Sequence, residues 1–119
     1  MQSIVLIGPP GAGKSTVAKY LSKELNKSWI DTDQVIEKQT GRQISEIFLT
    51  DGEEYFRRLE KEVVLKTLDE EDSVIALGGG SVLDPDVEQR LQDFSEVIFW
   101  MSRFLMLRRA LVSIKNGHC

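Results

Sequence analysis

The stretch "GPPGAGKST", Gly8 to Thr16, limits this chain more than any other feature. It follows a short continuous apolar run, Ser3 to Ile7, of the kind that forms a strand buried on both faces. After it, Val17, Leu21 and Leu25 fall at i, i+4 and i+8, which predicts an amphipathic helix ending near Asn26. Gly8, Gly13, Lys14 and Ser15 therefore satisfy G-x-x-x-x-G-K-[ST] in the strand–turn–helix setting that the motif requires. Glycines let the backbone wrap so that successive N–H groups point into one concavity. The following helix adds its free N-terminal N–H groups and its dipole. Lys14 reaches the outer phosphates as a point charge, and the Ser15 hydroxyl suits Mg²⁺. The pattern implies a bound nucleotide. It does not separate kinases from ATPases, GTPases or motor domains.

The rest of the chain repeats the alternation. "SWID" (Ser28 to Asp31), "SVIAL" (Ser73 to Leu77) and "EVIF" (Glu96 to Phe99) are short apolar strands. Between them lie a helix from Val35 to Gly41, a helical stretch from Ile44 broken at "TDGE", and a long helix with Phe56, Leu59, Val63 and Val64 inward. A short helix begins at Pro85, a residue suited to a first turn. Strands alternating with helices predict an α/β domain with a parallel sheet. At 119 residues there is room for one such domain or a piece of one. The net charge of −4 argues against a general nucleic-acid binder. One cysteine, Cys119, excludes an internal disulfide framework. No apolar run approaches the ~20 residues of a membrane span, and the start lacks the marks of a signal peptide, so the expectation is a cytoplasmic protein.

Three further features lie where ligands bind in open α/β sheets. In "DTD", one carboxylate of Asp31 and Asp33 could hold metal-bound water and the other could take a proton from a hydroxyl. Asp33 equally suits the N-cap of the next helix. Arg57, beside inward Phe56, faces either a pocket anion by bidentate pairing or a glutamate three or four residues away. The triple glycine Gly78–Gly80 serves either close approach of a ligand or a plain loop.

Together, "GPPGAGKST", "IDTDQVIEKQTGRQISEIF", "DGEEYFRRLE" and "ALGGGSV", in this order, resemble shikimate kinase from about Ile4 to Phe99. The resemblance implies a P-loop NTPase fold of the nucleoside monophosphate kinase type. That is a three-layer α/β arrangement with strand order 2-3-1-4, a fifth strand completing the family's sheet. It implies transfer of phosphate from ATP, with Mg²⁺, to the 3-hydroxyl of shikimate in aromatic amino-acid biosynthesis, by an enzyme that is usually monomeric. By match of motif, Gly11, Ala12, Gly13, Lys14, Ser15 and Thr16 would cradle the ATP phosphates, Lys14 also serving catalysis. Ser15 would ligate Mg²⁺, with Asp31 assisting through water. Asp33 would hold the shikimate hydroxyls and act as base. Arg57 would pair with the shikimate carboxylate, Gly79 within Gly78 to Gly80 would offer backbone, and Phe48 and Phe56 would wall the pocket. A gluconate-type kinase and a non-catalytic nucleotide-binding remnant are the alternatives.

Residues 100–119 depart from the family pattern, which has a lid with an Arg-Pro-Leu-Leu motif, a second substrate-binding arginine and a fifth strand. The genetic code offers a reason. Phe99-Trp100-Met101-Ser102, read from the last base of the Phe99 codon, gives Leu-Asp-Val when Ser102 is a TCN codon, as the family has there. Asn116 to Cys119 in the same shifted frame admits Arg-Pro-Leu. The expectation is a kinase-like domain over 1–99 followed by an out-of-frame tail over 100–119, in which Arg103, Arg108, Arg109, His118 and Cys119 carry no role. The other reading is a divergent C-terminal helix patterned by Phe104, Leu105, Arg108, Leu111 and Val112. For a chain without lid and fifth strand, the expectation is an exposed fourth strand, weak nucleotide binding and little turnover.

Overall fold

The computed structural model describes residues 2–9, 13–102 and 105–108. Strand β1 (Ile4–Gly8) leads into helix α1 (Lys14–Leu25), then β2 (Ser28–Asp31) and three helices, α2 (Thr32–Thr40), α3 (Ile44–Asp51) and α4 (Glu53–Thr67). Strand β3 (Ser73–Gly78) runs into a 3-10 turn (Gly79–Leu83), followed by α5 (Pro85–Leu91), β4 (Val97–Ser102) and β5 (Leu105–Arg108). The sheet order is β2-β3-β1-β4-β5, with the first four strands parallel. Among the described residues no helix is long and apolar enough to cross a membrane.

Alternation along the central strands sorts their side chains into two cores. Val5, Ile7, Ile75, Leu77 and Val97 pack with Val64 and Leu68 on one face and with Val87, Leu91 and Phe94 from the α5 side. On the other face Leu6, Val74 and Ala76 meet Ala18 of α1, with Val17, Leu21, Trp29, Ile98 and Trp100 around them. A third, smaller core joins α2, α3 and α4 through Ile36, Ile47, Phe56 and Val63. It holds these helices beside the C-terminal ends of the strands.

Three expectations change. The buried stripe of α1 is Lys14, Ala18 and Ser22, whereas Leu25 is 45% exposed. Small side chains let this helix sit close to the sheet, so the larger Val17 and Leu21 flank the contact. Helix α2 starts at Thr32 rather than Val35, because the Asp31 carboxylate caps it. The sheet also has a fifth strand. β5 pairs antiparallel with β4, Ile98 opposite Arg108 and Phe99 opposite Leu107, where a missing strand or a helix was expected. An antiparallel neighbour needs only a tight connection, and it satisfies the edge N–H and C=O groups that β4 would otherwise expose. The positions Phe104, Leu111, Val112, Arg103, Arg109, His118 and Cys119 lie outside the described residues, as do Gly11 and Ala12.

The close seating of α1 gives a contrast within one helix. Ala18→Leu should destabilise the chain by about 1–3 kcal/mol through overpacking, and Leu25→Ala by under about 0.5 kcal/mol, as for an exposed site. Urea unfolding of both variants measures the difference.

Candidate active site

Two cavities open at the C-terminal ends of the parallel strands. The first, about 350 Å³, is lined by Pro9, Gly13, Lys14, Ser15, Thr16, Asp31, Asp33 and Gln34. Gly13 stands at the N-cap of α1 with φ 81°, a conformation that glycine adopts without steric cost. The Lys14 side chain is nearly buried, and its Nζ donates to the Gly8 carbonyl at 2.9 Å. The cation is thus held at the end of β1, where phosphate oxygens would compete for it.

Asp31 ends β2 with both oxygens engaged. Oδ1 accepts from the backbone N–H groups of Asp33 at 2.9 Å and Gln34 at 3.3 Å, and Oδ2 accepts from the Ser15 hydroxyl. The cap of α2 is therefore Asp31, not Asp33, which leaves the Asp33 carboxyl free to face the cavities. Thr32 adds a tie, its hydroxyl donating to the Ala76 carbonyl at 3.3 Å.

The second cavity, about 490 Å³, is lined by Asp33, Glu37, Ile44, Ser45, Phe48, Phe56, Arg57, Glu60 and Gly78 to Gly80. Phe48 and Phe56 stack at 4.7 Å between ring centroids, tilted by 35°. The Arg57 guanidinium lies 5.8 Å from the first ring and 5.4 Å from the second. Its Nη1 donates to Glu60 Oε1 at 2.8 Å, and its Nε lies 3.6 Å from Glu53. Arg57 therefore does both things that its position allowed: it faces a pocket and it pairs with glutamates of its own helix. Gly78 also joins the two functional carboxyls, since a methyl at this position would stand 3.5 Å from Asp33 and 3.5 Å from Glu60.

Asp33 lines both cavities. Burial raises its pKa above the ordinary aspartate value, opposed by Lys14 and Arg57 and aided by Asp31 and Glu37. A carboxylate so placed is a stronger base than a solvated one. Glu60, 4% exposed, is also raised, by burial first, with the Arg57 hydrogen bond and charge pulling the other way. Sequence reasoning passed over Glu60. The signal was present: it stands four residues after Phe56 and three before Val63, a carboxylate inside an apolar stripe.

A glycine loop between β1 and α1, on a parallel sheet of order 2-3-1-4, defines a P-loop fold of the nucleoside monophosphate kinase type. Comparison narrows the class. The family model "Shikimate kinase" matches residues 10–111. Shikimate kinase of Mycobacterium avium is 50% identical over 105 residues, covering 88% of this chain and 60% of that protein. The Mycobacterium leprae enzyme is 59% identical over 83 residues, 70% of this chain and 42% of the relative. Among solved structures, shikimate kinase from Acinetobacter baumannii in complex with shikimate superposes with a TM-score of 0.78 at 34% identity, covering 84% of this chain and 56% of that one. The Aquifex aeolicus enzyme gives 0.74 at 37% identity, covering 82% and 58%. The chain belongs to the shikimate kinase family. It spans about 60% of the length of the Mycobacterium avium relative.

The raised Glu60 gives a pH signature. A carboxyl whose folded pKa exceeds its unfolded value is protonated earlier in the folded state. Stability therefore rises as pH falls through the folded pKa, and the gain is complete below the unfolded value of 4.5. Above that window the charged form is held at a cost. Glu60→Gln should therefore be at least as stable as the parent near pH ~7, and its relative advantage should vanish towards pH 4.5. Parallel thermal unfolding from pH ~7 to ~4 checks the crossover; a constant difference would contradict it.

Proposed function

We propose that this chain carries the nucleotide and acid sites of a shikimate kinase, which moves the terminal phosphoryl group of ATP to the 3-hydroxyl of shikimate. The observation that carries this reading is the shared wall: Asp33 lines both the phosphate cavity and the acid cavity. A hydroxyl hydrogen-bonded to Asp33 would sit between the two, with the donor phosphate on the Lys14 side. Asp33 takes its proton as attack proceeds. Lys14 leaves the Gly8 carbonyl for the phosphate oxygens. Arg57, at the far side of the acid cavity, pairs with the substrate carboxylate and sets which hydroxyl meets Asp33. Phe48 and Phe56 bound the ring of the acid from the α3–α4 side, and the Gly79 backbone approaches it without a side chain in the way.

Ser15 and Asp31 fit a hard divalent cation such as Mg²⁺, since both present oxygen and already touch. Among the described residues no cluster of three or more acidic, histidine or cysteine side chains could hold such an ion alone. The remaining ligands would come from water and nucleotide phosphates, as is usual for Mg²⁺. When bound, the cation supplies neutralisation of phosphate charge. The same reading places the protein in the cytoplasm, where ATP is available.

ADP release coupled to NADH oxidation tests the reaction. Such ADP as the chain releases, at the low turnover expected of it, should depend on shikimate and not on gluconate. Asp33→Asn should lower kcat by roughly 10²–10⁴-fold, the usual weight of a positioned base, with ATP affinity retained. Arg57→Lys should act chiefly on KM for shikimate, because it loses the planar fork. ATP binding without ADP release at any shikimate concentration would favour a nucleotide-binding remnant.

We further infer that 100–119 is read out of frame, although the family match itself runs on to residue 111. Sequencing the coding DNA of the source genome from Val97 onward should show one more pyrimidine at the Phe99 codon; its absence there would leave the tail as the gene's own product.

A further inference from the structure

The three glycines after β3 have different neighbours. A methyl on Gly78 would stand 3.5 Å from two carboxyl oxygens, and one on Gly79 would stand 3.8 Å from the Gly8 carbonyl group. Both are ordinary contacts. A methyl on Gly80 would strike the Arg57 guanidinium, colliding with Nη1 and standing 2.8 Å from both Cζ and Nη2. None of the three has a positive φ. Alanine thus suits the backbone at each, and replacing glycine there should itself stabilise by restricting the unfolded chain. A side chain at Gly80 would therefore act on the arginine, whose guanidinium would have to shift.

The guanidinium is held from several sides. Phe48 and Phe56 lie beside it, and Glu60 and Glu53 hold its nitrogens. Behind it is another cavity of about 350 Å³, lined by Lys61, Leu83 and Asp84 among others. Arg57, Glu60 and Gly80 line both this chamber and the acid cavity, so they form the partition between them. A displaced guanidinium would leave the partition for one chamber or the other.

We propose that Gly80 is a positioning residue whose bare backbone seats the Arg57 guanidinium in that partition, aimed at the carboxylate of a small acid. The collision that a side chain would make at this position is with the arginine. The aim at a carboxylate rests on the function proposed above; the seat itself does not.

Two readouts on the full 119-residue chain separate these statements. The first is the Nε–Hε resonance of Arg57 in ¹⁵N NMR spectra of the ligand-free protein, identified by its loss in Arg57→Lys. Gly80→Ala should shift or broaden it, while Gly78→Ala and Gly79→Ala leave it in place. The second is calorimetric preference for shikimate over its neutral carboxamide. The parent should favour the acid by roughly tenfold or more, as for a charge-assisted pair, and Gly80→Ala should bring the ratio near one. An unchanged resonance in Gly80→Ala overturns the seat. A shifted resonance in a parent that shows no preference for the acid keeps the seat and sinks the substrate reading. Should Gly80→Ala not fold, Gly80→Ala/Arg57→Ala removes the collision. Recovery of folding then supports the seat, and failure to recover overturns it.

Discussion

The Asp31 carboxylate ties the two halves of the site together. One oxygen fixes the start of α2 through two backbone N–H groups, and the other meets the first turn of α1 at Ser15. The strand that carries it is anchored by β3, which runs into the triple glycine at the same end. The start of α1, Asp33 and the second cavity are thus referred to one point at the end of β2. If that carboxylate moved, Ser15 would lose a partner and α2 its cap, and Asp33 would shift relative to both cavities. Catalytic geometry depends on such fixed reference points, because misplacement by about an ångström is costly.

Around that point the charges are arranged as a chain of compensations. Lys14 is buried and answers to the Gly8 carbonyl. Asp33 is raised by burial but tempered by Lys14 on one side and Arg57 on the other. Glu60 is buried at the foot of Arg57, held there by the cation that a substrate acid would also seek. On the proposed reading, an incoming carboxylate would meet an arginine already oriented and already paired with two glutamates. Orientation favours binding by lowering the entropy lost. Partial neutralisation keeps a lone guanidinium from being stranded among two phenylalanine rings.

What could be read from the chain without coordinates followed the strength of local signals. The P-loop was plain because its residues, their spacing and their flanks all point the same way. Strands β1 to β4 were legible as short apolar runs, and β3 is buried along its whole length and β1 at all but its first residue. Asp33 and Arg57 were visible only as alternatives, since capping and ion pairing use the same residue types as binding; the cap reading of Asp33 fell because Asp31 takes the cap, whereas Arg57 keeps both its glutamate partners and its place in the cavity wall. Leu25 misled because the apolar period does not say how close a helix may approach, a matter decided by Ala18. Glu60 escaped because charged residues in a helix are ordinarily solvated, whereas this one is buried against Arg57 beside the end of β3. Strand β5 escaped because its sequence fits a helical stripe as well as a hairpin, and a neighbouring open edge tips the balance.

The core beneath α1 contains both tryptophans of the chain, Trp29 and Trp100, against Leu6, Ala18, Val74 and Ala76. No indole lies in the acid cavity. The intrinsic emission of this protein is therefore a one-sided optical label. It looks at the face that supports the phosphate loop and is blind to direct contact in the other chamber. A nucleotide that settles α1 changes the surroundings of both chromophores, whereas an acid arriving alone alters them only if its effect crosses the sheet end through β2. The order in which two ligands change the fluorescence thus reports, without any added dye, whether the two compartments communicate.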